Sequence, residues 1–235
     1  MSTPLLAIQN LSAWYGREKR VLSEFSLELE EHEVVGLIGL NGAGKTTFLK
    51  VLSGLLPSYT LKEIKFFGRP AKLRDQSFKL CRYTVFAEDG SFGYFTFWEY
   101  LSYVFSAYKK KQPDVSELIR GFHFENNTDT LLKDLSTGSR KKAFLITAFA
   151  LKPELLFLDE PVNGLDFEST EYLYGQIAGY KAYGTVLFSS HILESITLTS
   201  DRVFVLEKGQ IRQTFEGGRI NAADIREALC YENDV

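Results

Sequence analysis

Apolar residues fall along this chain in three kinds of run. Val34-Val35-Gly36-Leu37-Ile38 and Leu155-Leu156-Phe157-Leu158 are apolar without interruption, as strands buried on both faces of a parallel sheet require. A second kind alternates. Leu6, Ile8 and Leu11 stand against Gln9, Asn10 and Ser12, and Val21, Phe25, Leu27 and Leu29 against Glu24, Ser26, Glu28 and Glu30. This period of two predicts strands over 5–15 and 21–30, the second half-buried and antiparallel. Further strands are predicted over 61–67, 82–87 and 185–189, and a terminal hairpin over 202–207 and 210–215. The third kind is helical: Phe97, Leu101, Val104, Phe105 and Tyr108 share one face. Thr96-Phe97-Trp98-Glu99 fits a capping box at its start, and Lys109-Lys110-Lys111 puts positive charge at its C-terminal end. Other helices are predicted from Lys45 to Gly54, over 115–122, from 136–139 through Leu151, over 167–183 behind Asp166, over 192–199 and over 221–230. Strands alternating with helices imply an α/β core with parallel strands.

The chemistry begins where the first uninterrupted strand ends. Gly39-Leu40-Asn41-Gly42-Ala43-Gly44-Lys45-Thr46-Thr47 has the Gly-x-x-x-x-Gly-Lys-Thr spacing, between that strand and a helix start. Glycines let successive N–H groups turn inward around phosphate oxygens, and the helix adds its positive dipole end. Lys45 would bridge the β- and γ-phosphates, and the Thr46 hydroxyl would sit on Mg²⁺. The second uninterrupted strand delivers Asp159 to the magnesium shell, with Glu160 beside it as general base toward water. Ser136-Thr137-Gly138-Ser139 opens a helix whose first turn carries Arg140, Lys141 and Lys142. Three cations there oppose the dipole, so the turn meets an anion during work or forms a solvated basic face.

The 235 residues suit one α/β unit with a subdomain, and 45% hydrophobic content is enough for a sizeable core. Net charge is −3, from 27 basic and 30 acidic residues; that balance gives no electrostatic case for nucleic acid. Cys81 and Cys230 suit a reducing compartment and lack metal-site spacing. The start, Met1-Ser2-Thr3-Pro4-Leu5, shows no signal-peptide pattern, and no apolar run approaches a membrane span.

Leu135-Ser136-Thr137-Gly138-Ser139, then Leu158-Asp159-Glu160-Pro161, then Asn163-Gly164-Leu165-Asp166, then Ser189-Ser190-His191 follow the phosphate loop in order. In order and spacing, and over nearly the whole chain, this resembles an ATP-binding-cassette (ABC) ATPase. The resemblance implies one ABC ATPase domain over 1–235. It has a P-loop NTPase (RecA-like) core, an antiparallel β subdomain and an α-helical subdomain at about 88–150. ATP and Mg²⁺ are the implied cofactors. Tyr15 matches the aromatic residue that stacks on adenine, with Trp14 as substitute if the register differs by one. Ser136 and Gly138 match residues that contact the γ-phosphate held by a second, head-to-tail copy. Asp166 matches an interface aspartate that can also cap the next helix. His191 matches the histidine that reaches the γ-phosphate and attacking water.

Two departures from the family stand out. Thr137 and Ser139 replace a glycine and the glutamine of the signature Leu-Ser-Gly-Gly-Gln. Also, no glutamine follows the strand 82–87, where the family normally carries one against Mg²⁺; Ala87 or Glu88 stands there, and Glu88 or Asp89 could offer an oxygen ligand instead. The aromatic stretch from Phe92 to Tyr108 lies where the family docks its membrane partner, so part of 92–98 either forms that cleft or fills a subdomain core. The implied role is the ATP-hydrolysing subunit of a transporter with separate transmembrane permease subunits, exporting a peptide, lipid or drug-like molecule. Such a subunit is cytoplasmic, peripheral on the inner face of the cell membrane. A regulatory nucleotide-binding module with impaired hydrolysis and a non-transport soluble ABC ATPase are the alternatives.

Overall fold

Two sheets carry the chain in the computed structural model, which describes residues 3–16 and 19–230. In chain order the elements are β1 (Leu6–Tyr15), β2 (Lys19–Leu29), β3 (Val34–Ile38), α1 (Lys45–Leu52), β4 (Tyr59–Thr60), β5 (Glu63–Phe66) and β6 (Arg69–Pro70). Then come α2 (Gln76–Leu80), β7 (Arg82–Val85), α3 (Phe97–Ala107), α4 (Ser116–Gly121), α5 (Thr137–Leu151), β8 (Leu155–Asp159) and α6 (Phe167–Gly179). The last are β9 (Thr185–Ser190), α7 (Leu193–Thr199), β10 (Arg202–Glu207), β11 (Gln210–Glu216) and α8 (Ala222–Cys230). An antiparallel sheet runs β2-β1-β5-β6, with β4 on β1; the other runs β11-β10-β3-β9-β8-β7. In the second sheet only the β10–β11 hairpin is antiparallel.

The uninterrupted apolar runs are explained by two cores lying on opposite faces of the parallel sheet. Val34, Ile38, Leu156, Leu158, Val186 and Phe188 belong to the core built with α3, α5 and α6. Their alternates Val35, Leu37, Leu155, Phe157 and Leu187 belong to the core shared with α1 and the antiparallel sheet. Successive side chains point to opposite faces, so a strand between two cores is apolar along its middle, and polar side chains enter β8 and β9 only at their ends. In β2, by contrast, Leu27 and Leu29 are buried and Ser26 and Glu28 exposed, the alternation expected of a one-faced strand.

The capping box of α3 is formed: Glu99 N–H donates to Thr96 Oγ1 at 3.3 Å, and Thr96 N–H to Glu99 Oε2 at 2.8 Å. One of the lysines beyond α3 serves a different helix from the one expected. Lys110 Nζ donates to the carbonyls of Leu151 (3.0 Å) and Lys152 (3.3 Å), closing the C-terminal end of α5. The aromatic stretch is divided. Phe97, Tyr100 and Phe105 are buried in the core, while Tyr94, Trp98 and Tyr103 are 78%, 38% and 51% exposed. Boundaries also differ from expectation: the strand expected over 82–87 stops at Val85, and the helix expected to reach 183 ends at Gly179 before a short 3₁₀ turn; α2, β4 and β6 are additional elements.

Candidate active site

Three parallel strands end side by side at the site. Asp159 of β8 lies opposite Ser189 of β9, and Ser189 in turn opposite Leu37 of β3. Carboxyl ends of parallel strands are where open α/β sheets bind ligands. From β3 the chain enters the 39–44 loop, and two of its glycines are enforced. A Cβ on Gly39 would meet the Leu206 carbonyl oxygen at 2.4 Å, and Gly44 has φ +114° immediately before α1. The Lys45 ammonium is buried, 2.6 Å from the Gly39 carbonyl oxygen to which it donates and 3.6 Å from Glu160 Oε1.

Glu160 follows Asp159 in a left-handed conformation, φ +47°, a strained geometry for a side chain with a Cβ. Its backbone N–H donates to Ser189 Oγ at 3.0 Å, and its Oε2 is 2.7 Å from His191 Nδ1 and accepts the His191 backbone N–H at 3.3 Å. One carboxylate oxygen therefore faces Lys45 and the other is held by His191. Asp159 is buried; its two oxygens accept the Thr46 hydroxyl at 3.0 and 2.9 Å, and Oδ1 accepts the Ser189 hydroxyl at 2.7 Å. A hydroxyl and a carboxylate in contact form a hard-oxygen donor set that fits Mg²⁺.

Lys45, Thr46, Asp159, Glu160 and His191 are thus brought into one contact network. Leu40, Asn41 and Gly42 stand exposed on the loop, whereas Ala43 and Thr47 are buried beside it. Tyr15 is exposed at the end of β1 and Trp14 half-buried. Ser136, Gly138 and Asp166 make a second group. Ser136 caps α5 by accepting the Ser139 N–H at 3.0 Å, and a Cβ on Gly138 would meet the Gly164 carbonyl oxygen at 2.1 Å. Asp166 caps α6 through the Ser169 N–H at 2.9 Å and accepts Lys142 Nζ at 2.5 Å.

The basic first turn of α5 departs from a solvated face, one of its two expected forms. Lys141 and Lys142 are buried rather than solvated, and both are already engaged. Lys141 Nζ donates to the Glu160 and Asn163 carbonyls at 3.0 and 2.7 Å. Burial pushes this ammonium below the ordinary lysine value, against the pull of Asp159, Glu160 and Glu88. Where the family's glutamine is missing, Ala87, Glu88 and Asp89 line a cleft of about 250 Å³ with Arg140, Lys141 and Gly164 opposite. Asp89 Oδ1 accepts the Ser91 N–H at 2.8 Å, whereas Glu88 is exposed. Ser189 has no role in the sequence pattern alone; a hydroxyl near the end of the strand next to an Asp-bearing strand is the signal that points to it.

A glycine loop between a parallel strand and a helix, with Lys45, Thr46 and a strand-borne Asp159 in contact, defines a P-loop nucleoside triphosphatase. The sequence profile of the family described as "ABC transporter" matches residues 22–163. The chain belongs to this family, as an ATP-binding subunit that hydrolyses ATP. It is 38% identical over 222 residues to the ABC transporter ATP-binding protein AlbC of Bacillus subtilis (strain 168), spanning 91% of this chain and 92% of AlbC. It is 30% identical over 208 residues to the lantibiotic transport ATP-binding protein SrtF of Streptococcus pyogenes, spanning 88% of this chain and 89% of SrtF. Among solved structures, an ATP-binding subunit of an ABC transporter superposes with a TM-score of 0.81 at 27% identity, over 95% of this chain and 92% of that one.

Proposed function

We propose that this chain, working as one ABC ATPase domain over 1–235 with a helical subdomain at about 88–150, powers export through separate permease subunits on the inner face of the membrane. The observation that carries the reading is Glu160, held between Lys45 and His191 one residue after the Asp159–Thr46 contact. The 39–47 loop cradles the phosphates with its N–H groups, and Lys45 swings from the Gly39 carbonyl to their oxygens. Thr46 and Asp159 would hold Mg²⁺, which would supply positive charge against the charge that develops on the phosphates. Glu160 takes the proton of the attacking water, and His191 keeps that carboxylate aimed. Tyr15, exposed at its strand end, stacks on adenine. Ser136 and Gly138 face the γ-phosphate held by a second, head-to-tail copy, and Asp166 lies at that interface.

Exposed Tyr94, Trp98 and Tyr103 over half-buried Phe92 and Phe95 support a docking face for the permease; aromatic surfaces of this kind are enriched at interfaces. Among the described residues no helix is long and apolar enough to cross a membrane, which fits a role beside a separate membrane subunit. Cargo of the peptide, lipid or drug-like class remains the reading, and the transport role in SrtF's name fits it. The test is Mg-ATP hydrolysis with and without the neighbour-encoded membrane protein. Turnover should rise with the partner and fall roughly 10²- to 10⁴-fold in Glu160→Gln. Nucleotide binding without turnover in either setting would instead favour a regulatory module.

A further inference from the structure

The first turn of α5 and the segment after β8 are tied together at three points. Lys141 Nζ takes the carbonyls of Glu160 and Asn163, Lys142 takes Asp166, and Gly138 leaves no room for a Cβ beneath the Gly164 carbonyl. The Lys141 contacts differ from the others because they fall at both ends of the bend that starts at Glu160. That residue has φ +47°, a conformation its own Cβ disfavours, so something outside the loop must hold it. Its backbone N–H is held by Ser189. Its carbonyl accepts the Asn163 N–H at 3.3 Å within the bend and, from outside it, Lys141 Nζ at 3.0 Å, the ammonium of a lysine that is 5% exposed. Burying an ammonium against two main-chain oxygens is costly, and the attraction of Asp159, Glu160 and Glu88 offsets only part of that cost.

We infer that Lys141 is a positioning residue for Glu160: it fixes the backbone from which the carboxylate is aimed between Lys45 and His191. The inference rests on the proposed role of Glu160 as the base.

The test uses the full-length chain assembled with its membrane partner, with Lys141→Met, Lys141→Arg and Glu160→Gln. Thermal unfolding reports folding, and fluorescent ATP-analogue binding by the isolated chain reports nucleotide affinity. Lys141→Met should lower kcat about tenfold or more while KM and analogue affinity stay within about twofold, since misplacing a reacting group by an ångström costs turnover before binding. Lys141→Arg, which keeps donors for both carbonyls, should recover part of the loss. If Lys141→Met does not fold, Lys141→Gln, which keeps one amide donor group, carries the same comparison. A folded variant with unchanged kcat, or one that loses affinity and turnover together, overturns the inference. Full turnover in Glu160→Gln would instead overturn the assignment of the base, whatever the lysine variants do.

Discussion

Asp166 answers two demands at once: it caps α6 and neutralises Lys142, whose side chain is 9% exposed. The hydrogen bond from Lys142 holds its carboxyl well below the ordinary value of 3.8. A folded-state value lower than the unfolded one contributes stability that is fully present above about 3.8 and is lost as pH falls through the folded value. Asp166→Asn keeps a capable cap but leaves a buried ammonium unpaired. It should therefore lower stability at neutral pH, by a margin that closes in urea titrations taken progressively below pH 4. Little of this was legible in the sequence. Arg140-Lys141-Lys142 reads as a basic cluster, and only the fold reveals that two of its ammonium groups turn inward to oxygens some twenty residues away. The phosphate loop was legible, because glycines, strand and helix start are adjacent and short-range geometry decides them.

At the scale of elements, α3 joins a local signal to a tertiary one. Its capping box was readable from Thr96 and Glu99, and Thr96→Ala should cost about 1 kcal/mol in denaturant unfolding. Its apolar face was readable too, but not which aromatic residues would remain outside. Phe97 and Trp98 are sequence neighbours with rings 5.0 Å apart, yet one is fully buried and the other is not. If the exposed set docks the permease, Trp98→Ala and Tyr94→Ala should weaken pull-down of the membrane partner while hydrolysis by the isolated chain stays unchanged; full partner binding by both would sink the docking assignment. The short elements escaped notice for a plain reason. In α2 only Phe78 is buried, and β4 and β6 have two residues each, too few to show any period.

For the whole molecule, the layered α/β arrangement was legible because β3 and the Leu155–Leu158 run of β8 lie between two cores and must be apolar. If each site is completed by a second copy, specific ATPase activity should rise with chain concentration. Glu160→Gln with Mg-ATP should then run as a dimer in light scattering; a strictly monomeric variant with concentration-independent wild-type turnover would exclude the shared site. The hydrogen-bond ladder that sets Asp159 opposite Ser189 has a consequence of its own. It works as a ruler for the chemistry, with graduations set by backbone spacing rather than by side chains. One residue added inside β8 would advance every later mark and turn the aspartate to the opposite face. One residue added to the turn before Leu155 would leave every mark where it is.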